Sequence, residues 1–111
     1  MTLSQHFIND HPERMIYIGL NIGYGNVVLT CVDKQEQKRY CLTDTGLLEV
    51  LAIDEDFLIT AYPVSRNCAY AICRKVGLNY IPHAIDTAIN RNKIHRMMLA
   101  EMEGLNLDDF E

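Results

Sequence analysis

The chain has 111 residues, 49% of them apolar and 23% charged, enough to bury one core and too few for a second domain. Its net charge of −5, from 10 basic and 15 acidic residues, argues against a protein whose whole surface serves nucleic acid. No charged leader precedes an apolar run and no apolar stretch is long enough to span a bilayer, so a cytoplasmic chain without a membrane partner is expected.

In chain order, Ser4 caps a candidate helical turn that carries His6 and Phe7. The stretch Asp10-His11-Pro12-Glu13-Arg14 reads as a helix start, because proline suits the first helical position and Glu13 complements the amino-terminal dipole. Residues 15–22 satisfy two patterns. Met15, Ile18 and Ile22 keep a helical spacing, whereas Ile16, Ile18, Leu20 and Ile22 alternate as in a strand. The start signal and the Gly23 stop decide for a helix over residues 12–22. Four strands then follow, at residues 27–32, 38–43, 47–53 and 57–63, separated by the turn-forming stretches 33–37, 44–46 and 54–56. Strict alternation puts Leu58, Thr60 and Tyr62 on one face of the last strand and Phe57, Ile59 and Ala61 on the other. If the second face is core, Thr60 and Tyr62 look outward together.

Ser65 is the expected N-cap of a helix that ends at Gly77. Its core side carries Cys68, Ala69, Ile72, Cys73 and Val76, and its outer side Arg66, Asn67, Tyr70 and Arg74. Pro82 opens a further helix through Ile85, Ala88 and Ile89. The apolar stripe stops at residues 90–93 and resumes, rotated by more than a quarter turn, at Ile94, Met97, Met98 and Met102. Either the helix breaks near Asn92 or its second half packs on another surface, such as another subunit or a partner. The expectation is one α+β domain over residues 1–104, with an N-terminal helix, an antiparallel four-stranded meander and two or three C-terminal helices. Residues 105–111 form an acidic, flexible tail.

The four cysteines, Cys31, Cys41, Cys68 and Cys73, contain no CxxC pair and lack metal-ligand spacing, so reduced, core-facing thiols are expected, with neither metal nor cofactor. Charge is unevenly spread. Arg66, Arg74, Lys75, Arg91, Lys93 and Arg96 face the single acid Asp86 between residues 64 and 99. The basic residues Arg66, Arg74, Arg91, Lys93 and Arg96, with Met97 and Met98 beside them, make a candidate binding face for a protein partner, for a second copy of the chain, or for RNA.

Two stretches resemble known families. Gly19 to Asn26 is similar to the first phosphate loop of actin-like ATPases, but Asn21 stands where that loop has an acid, and 111 residues cannot build the actin nucleotide cleft. The second resemblance rests on Ser4-x-His6-Phe7, Arg14, the meander and Ile59-Thr60-Ala61-Tyr62. This order resembles the small proteins of the barnase, EndoU, colicin and RelE group, which includes bacterial toxins and proteins of phages and mobile elements. The resemblance implies metal-independent RNA cleavage, with His6 as the base, Thr60 bonding a phosphate oxygen, Arg14 or Arg39 stabilising developing charge, and Tyr62 or Tyr40 stacking on a base. The functional expectation is a small binding or regulatory protein acting through its basic C-terminal helices. The alternative is the toxin-like ribonuclease.

Overall fold

A computed structural model describes residues 2–3 and 12–103 of the chain. His6 and the acidic tail lie outside the described residues. The elements are β1 (Thr2–Leu3), α1 (Pro12–Tyr17) running into a π-helical segment (Ile18–Ile22), β2 (Val27–Asp33), β3 (Lys38–Thr43), β4 (Leu47–Ala52), β5 (Phe57–Pro63), α2 (Arg66–Lys75), α3 (His83–Arg91) and α4 (Lys93–Met102). The architecture is therefore α+β, with an N-terminal helix, the antiparallel meander β2 to β5 and three C-terminal helices. No helix among the described residues is long and apolar enough to cross a membrane.

The two patterns in residues 15–22 resolve as helix. The segment closes with the Gly23 amide donating to the Ile18 carbonyl at 2.8 Å, a five-residue π-type step, and Gly23 leaves it at φ 82°. One strand was not expected: β1 pairs in parallel with β5, giving the order β1-β5-β4-β3-β2. Two residues are too few to show any periodicity.

The central strand β4 is buried from Leu47 to Leu51, because helices cover both sheet faces. Leu48 and Val50 join Cys31 and Leu42 beneath Ala69, Ile72 and Cys73 of α2 and Ile85 and Ile89 of α3. On the opposite face Leu47, Leu51, Leu58, Ala61 and Cys41 pack with Ile18, Met15 and Ile22. This second cover stops short of the edge strand β2, where Val27, Val28 and Val32 remain exposed.

Two sequence-based expectations need correction. Strict alternation fails in β5 because Val50 pairs with Thr60 while the next residue, Leu51, pairs with Leu58. The extra residue Ile59 makes a bulge, so Leu58 and Ala61 serve one core and Ile59 and Tyr62 the other. Thr60 and Tyr62 therefore look into a covered face, not into solvent. Val76 is exposed, because α2 ends at Lys75 and the chain leaves the helical path before the core stripe repeats. The helix start is as expected: the Ser65 hydroxyl accepts from the Cys68 amide at 3.2 Å. Its end is a glycine cap, with Gly77 at φ 88° and the Leu78 amide donating to the Cys73 carbonyl at 2.9 Å.

The break between α3 and α4 falls at Asn92, which is almost fully buried and donates from Nδ2 to the Thr45 carbonyl at 2.7 Å. Gly46, at φ 82°, lets the β3–β4 turn come this close; a Cβ there would sit 2.6 Å from Asn92 Nδ2 and 3.0 Å from Ala88 Cβ. Gly46→Ala is expected to lower stability by about 2 kcal/mol, measured by urea unfolding, since both the backbone conformation and the space oppose it. An unchanged midpoint counts against the described junction.

Glu49 lies between Cys41 and Ala61 in the sheet register, is buried, and has one carboxylate oxygen without a hydrogen-bond partner among the described residues. Burial, with Asp56 adding to it, pushes its pKa up. A carboxyl raised in the folded state is protonated there while still ionised in the unfolded chain. Stability is therefore lost as pH rises from the ordinary carboxylate range through the raised value. Glu49→Gln is expected to raise the melting temperature at neutral pH, with the gain vanishing near about pH 4. Calorimetry at the two pH values checks this, and a gain independent of pH contradicts it.

Candidate functional site

The fold brings together three residues named for the RNA-cleaving site. Arg14, from α1, donates from Nη1 to Thr60 Oγ1 at 3.1 Å, and its guanidinium lies 5.7 Å from the centre of the Tyr62 ring. The surroundings are closed. Arg14 is buried, and its Nε and Nη2 donate to the two carboxylate oxygens of Glu103 at 2.8 and 2.6 Å. This forked pair ties the start of α1 to the residue that caps α4. Burial, and then the neighbouring Cys68, push the Tyr62 phenol up to about 12 against the opposing pull of Arg14. The phenol is thus a neutral donor throughout the physiological range. Glu103, the carboxylate that neutralises Arg14, was not singled out in the sequence; one acid among several at the end of a helix carries no signal of a partner 89 positions away.

Arg39 is held elsewhere, donating from Nη2 to the Glu55 carbonyl at 3.1 Å, and Tyr40 packs against the core beneath α2 and α3. The four cysteines are free thiols, and burial pushes those of Cys41, Cys68 and Cys73 up, away from nucleophilic reactivity. Among the described residues no group of three or more His, Cys, Asp or Glu is arranged to hold a metal ion.

The second candidate region is formed by the C-terminal helices. α4 buries Leu99, Ala100 and Arg96, and turns Ile94, Met97, Met98 and Met102 outward with 66, 44, 44 and 51% exposure. Arg96, expected on the binding face, is a correction: it lies inside, where Nη1 donates to the Ile89 carbonyl at 2.7 Å. That carbonyl stands where α3 is ending and the helical ladder is running out of donors, which is why a buried guanidinium is tolerated there. Arg66 is exposed, pairs with Asp86 and donates from Nη2 to Asn90 Oδ1 at 2.7 Å. Arg74 lies over the Tyr70 ring at 5.9 Å, and Arg91 and Lys93 are exposed. Of these, Arg66, Lys93 and Arg96 share the lining of one cavity, whereas Arg74 and Arg91 are not part of it.

α1 docks on α4 at a second point missed in the sequence. Tyr17 Oη lies 2.5 Å from His95 Nδ1 and 3.3 Å from Met98 Sδ. Tyr17 follows Arg14 by one helical turn, but His95 sits in a stripe that sequence periodicity assigns to no face.

No family model matches the chain, and no curated protein or solved structure is significantly similar to it.

Arg14→Ala is expected to destabilise the protein by about 3 kcal/mol, since it leaves the Glu103 carboxylate buried without its cation. Adding Glu103→Ala is expected to cost less than the sum of the two single changes, as thermal or chemical denaturation of all four proteins will measure. Strict additivity contradicts the described pair.

Proposed function

We propose that the chain is a small non-enzymatic binding protein that engages a protein partner, or a second copy of itself, through the outer face of α4. The observation that carries this reading is the orientation of α4. Arg96 is turned inward beside Leu99 and Ala100 while Ile94, Met97, Met98 and Met102 stay outward, so much of the helix's apolar surface faces away from the core. Methionine side chains adapt to irregular partner surfaces, and the exposed Arg91 and Lys93 give the same helical region a basic rim that favours acidic partners.

The alternative, metal-independent RNA cleavage by His6 and Thr60, draws support from the meeting of Arg14, Thr60 and Tyr62. It is disfavoured by the commitment of Arg14 to Glu103, which leaves little positive charge for a phosphate in transition.

The triple change Ile94→Asp, Met97→Asp and Met102→Asp removes the apolar face without touching a buried residue. It is expected to leave the melting temperature within about 2 °C while abolishing the assembly seen by sedimentation of the unaltered chain alone or with its partner. A wild-type chain that sediments as a monomer and acquires no partner in its own cell extract overturns the binding reading. Metal-free cutting of RNA that is lost in both His6→Ala and Thr60→Ala, with circular dichroism unchanged, favours the ribonuclease instead.

A further inference from the structure

A cavity of about 280 Å³ lies where the start of α2 meets the α3–α4 junction, lined by Ser65, Arg66, Asn67, Ile89, Asn90, Lys93 and Arg96. Three of these side chains are cations and no carboxylate lines the cavity, with Asp86, the partner of Arg66, standing in the adjoining space. We infer that this cavity binds the phosphate group of a small phosphate monoester. The inference shares Lys93 with the basic rim of the proposed partner-binding face and rests otherwise on different residues.

The cations are held in place before any ligand arrives. Arg96 is buried and fixed through Nη1 on the Ile89 carbonyl at 2.7 Å, and Arg66 is oriented by Asp86 and by Asn90 Oδ1. Lys93 is exposed and makes no ion pair among the described residues, so its ammonium is the cation available to an anion. The amides of Arg66 and Asn67 precede the first rung of α2, in which the Ala69 amide donates to the Ser65 carbonyl at 2.9 Å. The N-terminal end of α2 thus lies at the cavity wall, and Lys93 supplies charge that is not already matched, as that of Arg66 is by Asp86. Guanidinium and ammonium groups around a phosphate form charge-assisted hydrogen bonds, the strongest kind a surface site offers.

The volume is larger than a phosphate group needs, which leaves room beside it for an esterified group. Arg66 and Asn67 also line a neighbouring cavity of about 460 Å³ with Tyr70, Ile81 and Asp86. That second space offers an aromatic ring, an aliphatic wall and one carboxylate that accepts hydroxyl hydrogen bonds. An organic group esterified to the phosphate fits there, which selects a monoester such as a nucleoside monophosphate over the free ion.

The test uses the whole chain, with inorganic phosphate and adenosine 5′-monophosphate as probes at constant ionic strength set by chloride. Both probes are expected to raise the melting temperature saturably and to shift their own phosphorus resonance, the monoester at lower concentration. Lys93→Gln alters only an exposed side chain and is expected to weaken both probes by about ten-fold. Tyr70→Ala is expected to weaken the monoester alone. If neither probe acts beyond the chloride control, or if Lys93→Gln binds as the unaltered chain does, the assignment is overturned. Binding of a single-stranded oligonucleotide without binding of either small probe overturns it as well.

Discussion

A single buried amide sets the shape of the C-terminal half. Asn92 cannot leave its donors in a dry junction unsatisfied, and the Thr45 carbonyl at 2.7 Å is the acceptor that the β3–β4 turn presents. Meeting it ends α3 at Arg91 and restarts the helix at Lys93 on a new azimuth. Because α4 restarts there, Arg96 swings inward to the Ile89 carbonyl of α3 while Ile94, Met97, Met98 and Met102 swing outward. The exposed apolar face is thus a consequence of a polar contact in the core, and the turn glycine Gly46 is what lets that contact form.

At the other end of α4 the closure is ionic. Arg14 and Glu103 bridge the start of α1 and the end of α4, and the Arg14 guanidinium rests over Tyr62 and on Thr60. In a dry setting the two charges must be paired, so their separation is costly even where their union adds little. The three residues that the sequence offers as a nucleic-acid-cleaving set thus meet at a clamp in which the arginine's charge is matched by Glu103.

The meander, the Ser65 cap, the Gly77 stop and the helix break were legible because each depends on residues adjacent in sequence. Turn-forming clusters delimit strands, a serine three residues before a free amide caps a helix, and a stripe that changes azimuth announces a break. What stayed hidden depends on distant residues. The bulge at Ile59 shows only in the pairing of β4 with β5, β1 acquires meaning only beside β5, and the partner of Arg14 lies at position 103. The same holds for the site. The sequence marked Arg66, Lys93 and Arg96 as basic, but their gathering around one cavity, and the burial of Arg96, follow from a junction that only the packed structure contains.

The proposed binding role requires α4 to present its methionines to solvent in the free chain and to a partner once one is bound. Methionine oxidation by dilute peroxide, followed residue by residue by mass spectrometry, reads this directly. Met97 and Met102 are expected to oxidise much faster than the core-packed Met15 in the isolated chain, and to be protected once the chain is assembled. Slow oxidation of Met97 and Met102 in the isolated monomer, or equal rates before and after assembly, contradicts the account.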